Sequence, residues 1–310
     1  MAKLRTNWAG VFTAAVTPFG SDGEMDMDAM RRLIDLLISE GVGGILVAGS
    51  TGEWYSLSDP EMRRLCEVSV SHAKGRVPII FGTSAIGTRE AVERTRMAKD
   101  LGADGCMVLP PPYVLASRRE VLAHFEAIAK VRLPIMVYNN PLRTGVSIDA
   151  ALASQLAEFE SIVAFKESAR DLYQTTETIY ALRDSLAVFM GLEPYGLAAI
   201  NRGCVGLVGS MGNVCALELV EYHQSAVSGN MQTCKEAQQS IDQLYHLMTS
   251  SGTPLIPFVK EAMRVLNRPG GVPRLPHVAP DDTARLKIRE GLQRMNFTAT
   301  RSPVAEVCTG

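Results

Sequence analysis

The sequence predicts an α/β chain folded as one (β/α)8 TIM barrel with a C-terminal helical extension. Three observations carry that expectation. Eight short apolar runs recur, beginning near Gly10, Gly44, Val77, Asp104, Pro134, Ser161, Ala187 and Gly203. Most begin roughly 26 to 34 residues apart, the length of one βα unit, and only the last interval is short. The runs are also nearly continuously apolar, as strands covered on both faces must be. A doubly wound open sheet is the alternative, but no G-x-G-x-x-G follows the first run.

Taken in order, the stretch from Trp8 to Val16 runs into Thr17-Pro18-Phe19-Gly20, a turn, and reads as a first strand rather than a secretion signal. "MDAMRRLIDLLISEGVG" spaces its apolar residues by three and four and stops at Gly41. "SDPEMRRLCEVSVSHAKG" opens on Ser58 as N-cap with Pro60 in the first turn, and closes at Gly75. After the eighth run no strand is expected. "MQTCKEAQQSIDQLYHLM", "PLIPFVKEAMRVLN" and "DDTARLKIREGLQRMN" read as helices. The barrel is thus expected over residues 1–225 and a helical region over 226–310.

Composition narrows the function classes. The 310 residues are 46% hydrophobic and 21% charged, with a net charge of -2, which gives nucleic acid or an acidic membrane nothing to bind. No apolar run approaches the roughly 20 residues that span a bilayer. Cysteines 66, 106, 204, 215, 234 and 308 form no C-x-x-C pair or cysteine–histidine cluster, so reduced thiols in a cytoplasmic protein are expected, not disulfides or zinc. The five histidines fall mostly in helix or tail patterns, which argues against a metal-dependent aldolase.

Barrel chemistry sits at the C-terminal ends of the strands. Of eight lysines, Lys166 alone ends an apolar run, Ile162-Val163-Ala164-Phe165-Lys166. A buried lysine loses the hydration of its ammonium, and the neutral amine can attack a carbonyl to form a Schiff base. A structural lysine paired with Glu167 or another carboxylate at the barrel mouth is the alternative. The second run ends in "GSTGE", where Gly49 and Gly52 allow close backbone approach and Ser50 and Thr51 offer hydroxyls and N–H groups that suit a carboxylate. The fifth ends at Tyr138, a phenol able to pass protons, inside "YNNPLRTG". The fourth ends in "LPPPY", which places Tyr113 on the same rim.

Together "GSTGE", "GADGCMVLPPPY", "YNNPLRTG", "AFKES" and "GCVGLVGSMGNV" resemble the pyruvate-dependent Schiff-base lyases, the dihydrodipicolinate synthase and N-acetylneuraminate lyase family, from about Val11 to Arg274. The resemblance implies a barrel with a C-terminal helical region, assembled as a homotetramer of dimers. It implies that Lys166 forms an imine with pyruvate or another 2-oxo acid and that Tyr138 shuttles protons. It further implies that Thr51 links Tyr138 to Tyr113, which enters a neighbouring subunit's site. Ser50 and Thr51 would hold the 2-oxo acid carboxylate, while Gly191 and Val208 line its resting place. Arg143 would grip a second substrate's carboxylate, for which its planar fork is suited. No metal or organic cofactor is implied, because the protonated imine is the electron sink.

Departures bear on the second substrate. Ser50 stands where the synthases usually carry a threonine, Pro112 where one of two tyrosines is lost, and Trp54-Tyr55 where small residues follow the turn. Residues 209–214 also depart from the pattern after the eighth strand. A synthase-type aldol condensation is therefore weighed against a catabolic aldolase, dehydratase or deaminase of a 2-keto-3-deoxy sugar acid or a hydroxyproline-derived imino acid. A non-catalytic small-molecule-binding barrel is the reading from another class.

Overall fold

The computed structural model describes residues 4–295; Lys3 and Cys308 lie outside them. Eight parallel strands close into a barrel in sequence order. They are β1 (Gly10–Ala14), β2 (Gly44–Val47), β3 (Ile79–Gly82), β4 (Gly105–Val108), β5 (Ile135–Asn139), β6 (Ile162–Glu167), β7 (Ala187–Met190) and β8 (Gly206–Gly209). Each begins within three residues of an expected run. The helices between them are α1 (Met27–Ser39), α2 (Asp59–Ala73), α3 (Thr88–Asp100), α4 (Arg118–Ala129), α5 (Pro141–Thr144), α6 (Ala150–Leu156), α7 (Leu172–Leu182) and α8 (Gly196–Ile200). Then follow α9 (Gly212–Ser228), α10 (Met231–Ser251), α11 (Leu255–Val265) and α12 (Asp282–Arg294). Residue 225 lies within α9.

Strand alternation divides the apolar residues into two cores. Inside the barrel, Phe12, Ala14, Leu46, Ile80, Met107, Met136, Ala164, Phe189 and Val208 fill the interior in layers. Outward-pointing Val11, Ile45, Phe81, Val137, Phe165 and Leu207 meet the helices. Helix α1 shows why these segments dock. Asp26 caps it by accepting from the Ala29 N–H, and its buried residues Met30, Leu33, Ile34 and Leu37 fall on one face. In α2, Ser58 is the N-cap as expected, and its own N–H is returned to the Glu61 carboxylate at 2.8 Å, a capping box. Helix α2 ends at Ala73, one residue before Lys74 turns left-handed at φ 48°, so Gly75 follows the stop rather than making it.

One irregularity sets the site. Between Ile135↔Ile162 and Met136↔Ala164 the register slips by one residue. Without that slip Phe165 would stand opposite Tyr138; with it, Lys166 does. The five described cysteines, 66, 106, 204, 215 and 234, are all buried and unpaired in the barrel and helix walls.

Candidate active site

Lys166 and Tyr138 lie side by side on adjacent strands and point into the barrel. Lys166 is 5% exposed and Tyr138 6%, and the amine Nζ sits 4.2 Å from the centre of the tyrosine ring. Among the described residues no carboxylate pairs with Nζ. The alternative of a Lys166–Glu167 pair fails on alternation, since Glu167 faces the helix layer. There its carboxylate accepts from Asn139 Nδ2 at 3.0 Å and the Ala169 N–H at 2.6 Å. Burial pushes that carboxyl up to about 7, against the pull of these donors.

Gly191 borders the amine. A Cβ there would collide with the Ser168 hydroxyl and lie 3.0 Å from Lys166 Cε, so only glycine leaves room beside the lysine. Val208, fully buried on β8, lies inside the barrel two strands along from Lys166.

After β2 the chain forms the expected tight turn, with one difference. The left-handed residues are Ala48 and Glu53, at φ 54° and 55°, not the glycines. Gly49 and Gly52 serve close packing instead, against Leu46 and against the Ala15 and Ala48 backbone. Among the described residues the Ser50 and Thr51 N–H groups have no protein acceptor, and Thr51 is 7% exposed. Free N–H groups beside two hydroxyls suit a carboxylate.

Arg143 lies on α5 at the mouth. With Ser50, Trp54, Tyr55, Leu109, Pro112 and Ile256 it borders a cavity of about 160 Å3. Among the described residues it makes no ion pair, so its guanidinium is open to a ligand. Tyr55 hydrogen-bonds His277 Nε2 at 2.8 Å, and burial followed by the Glu53 charge pushes its phenol up to about 12.

Not every expected residue joins this group. Tyr113 is 88% exposed, with φ 73°. Thr51 makes no hydrogen bond to Tyr138 or Tyr113 in the single chain. The Tyr138 oxygen instead accepts from Asn140 Nδ2 at 2.7 Å. Two features escaped sequence reasoning. Asn140 lies in "YNNPLRTG", where the resemblance implies no role for it. Lys260, inside the helical stretch "PLIPFVKEAMRVLN", is 2% exposed and pairs at 2.6 Å with Glu53 of the "GSTGE" turn. Its neighbours Phe258 and Val259, and its i+4 spacing from Ile256 on an apolar face, were the available signal. Among the described residues no group of three or more His, Cys, Asp or Glu is placed to hold a metal ion.

The model of the dihydrodipicolinate synthetase family matches residues 7–295. The chain belongs to that family. Within it, an "Uncharacterized DapA-like lyase" of Rhizobium meliloti is 50% identical over 95% of this chain and 98% of its own length. A 4-hydroxy-tetrahydrodipicolinate synthase of Methanospirillum hungatei is 35% identical, covering 92% of this chain and 98% of its own. The crystal structure of dihydrodipicolinate synthase from Aquifex aeolicus superposes with a TM-score of 0.88 at 33% identity, over 93% and 98% of the two chains. The expectations of a TIM barrel and of a lyase of the dihydrodipicolinate synthetase family therefore hold.

Proposed function

We propose that this chain is a Schiff-base lyase in which Lys166 forms an imine with pyruvate or a related 2-oxo acid, for a dihydrodipicolinate synthase-like aldol condensation. The observation that carries this reading is the β5–β6 register, which sets a buried amine, without an ion pair among the described residues, against the phenol of Tyr138. The amine attacks the keto carbon, and the carbinolamine loses its oxygen as water to leave a protonated imine. Loss of a proton from C3 gives an enamine, whose carbon attacks the second substrate's carbonyl. Hydrolysis of the imine then returns the lysine. Tyr138 is the group placed to move the protons. Ser50 and Thr51 receive the 2-oxo acid carboxylate, and Gly191 and Val208 bound its methyl end. Arg143 receives an acidic group on the second substrate.

A second reading draws on Ser168. Its hydroxyl is buried beside Gly191 and has no partner among the described residues, an unmet hydrogen-bonding group near Lys166. A substrate hydroxyl would satisfy it, which favours a 2-keto-3-deoxy sugar acid over a plain aldehyde. Assembly as a homotetramer of dimers in the cytoplasm completes the proposal. The exposed Tyr113 supports it, as a side chain available to a neighbouring subunit's site together with Thr51.

The test is reduction with borohydride in the presence of pyruvate. The enzyme should lose activity, and the peptide containing Lys166 should gain the mass of the reduced adduct. An adduct on another lysine, or full activity in Lys166→Ala, would remove the mechanism.

A further inference from the structure

The start of α5 carries an anomaly. Asparagine is among the best N-cap residues because its side-chain oxygen accepts from the first turn's backbone. Asn140 holds that position ahead of Pro141, yet its side chain makes no capping hydrogen bond. The N–H groups of Arg143 and Thr144 go to its main-chain oxygen, at 2.9 and 3.1 Å. The side-chain amide turns back along the chain and donates to the Tyr138 oxygen at 2.7 Å.

We propose that Asn140 is a positioning residue for Tyr138, holding the phenol oxygen through a donated N–H so that the phenol's own O–H is left for the reacting atoms beside Lys166. This rests on the imine reading above. The argument is one of hydrogen-bond inventory. A phenol carries one O–H and accepting lone pairs, while an amide NH2 has only hydrogens to offer. Tyr138 therefore cannot direct its proton at the Asn140 nitrogen. Among the described residues its O–H has no other acceptor. The residues clustered with it inside the barrel, Leu109, Met136 and Val208 among them, are apolar and supply none. The hydroxyl thus has its orientation fixed on one side and stays unused on the other.

Asn140→Asp separates this role from a structural one. Aspartate has the same shape and caps helices as well as asparagine, but it has no N–H and its carboxylate would capture the Tyr138 proton. Initial rates of borohydride-trapped adduct at Lys166 and kcat and KM for pyruvate are compared for wild type, Asn140→Asp, Asn140→Ala, Tyr138→Phe and the double variant Tyr138→Phe/Asn140→Asp. Thermal melting of each confirms the fold. Expected is a fall in trapping rate and kcat of about tenfold or more in both Asn140 variants, the scale of a lost hydrogen bond to a reacting group. KM for pyruvate stays near wild type. In the Tyr138→Phe background, Asn140→Asp adds nothing, because the oxygen it acts through is gone. Wild-type rates in Asn140→Asp, or an equal further loss in the Tyr138→Phe background, overturn the proposal and leave the imine reading standing. Absence of any wild-type adduct overturns the imine reading itself.

Discussion

A phenol buried beside an amine can pass a proton only if its hydroxyl can turn to the substrate. Tyr138 meets that condition, and removing the hydroxyl while keeping the ring isolates it. Tyr138→Phe should lower kcat about 10²-fold or more, the usual scale for a positioned proton-transfer group. Steady-state kinetics with an identified substrate pair checks it, and unchanged turnover would reduce Tyr138 to packing. Lys166 was legible in the sequence because a charged residue ending an apolar run breaks a pattern that composition alone sets up. Asn140 was not, because the choice between capping a helix and donating to a phenol depends on side-chain torsion and leaves no trace in spacing. The slip at Val163 was hidden for a similar reason: an apolar run reads the same with or without one residue skipped.

At the scale of elements, the short helix α5 presents Arg143 to the cavity at the mouth, whose lining does not include Lys166. Arg143→Ala should raise KM for the second substrate and leave imine trapping with pyruvate nearly intact; equal loss of both steps would mean that α5 holds the site together instead. Strands β5 and β6 are joined on their outer face by Asn139 and Glu167, directly behind Tyr138 and Lys166. The Glu167 carboxyl, held up at about 7 by burial, keeps its proton in the folded chain above the ordinary 4.5, where the unfolded chain has released it. Its contribution to stability is therefore complete below the unfolded value and is lost as pH rises through about 7. Glu167→Gln is neutral throughout and escapes that loss. Its melting temperature relative to wild type should rise between pH 5 and pH 8, and a difference independent of pH would contradict the assignment. Element identity was legible here, from the eight runs and the Ser58 capping box, because period and cap chemistry are local. The Asn139–Glu167 bridge was not, since it joins residues 28 apart in sequence through a register that only the folded sheet defines.

Across the whole molecule, the C-terminal helices are tied to the active-site rim. Lys260 on α11 pairs with Glu53 and also donates to the carbonyls of Thr17 and Val272, at 2.8 and 2.7 Å. The Arg274 N–H reaches the other Glu53 oxygen at 3.0 Å. Lys260→Met leaves a carboxylate buried without its cation and should cost about 3–5 kcal/mol in urea unfolding. Adding Glu53→Gln should recover part of that loss, because the two residues act as one unit; simple additivity would show that they do not. This tie went unread in the sequence because 207 positions separate the partners and an amphipathic pattern assigns a lysine to the solvent side by default. The cysteines show a different global property. Cys66, Cys106 and Cys204 have their thiols pushed up to about 12 by burial, and Cys215 well above the ordinary value. Thiol alkylation depends on the thiolate. Iodoacetamide and maleimides should therefore find these four positions silent while the native fold persists, and alkylation there becomes a reporter of the chain's opening.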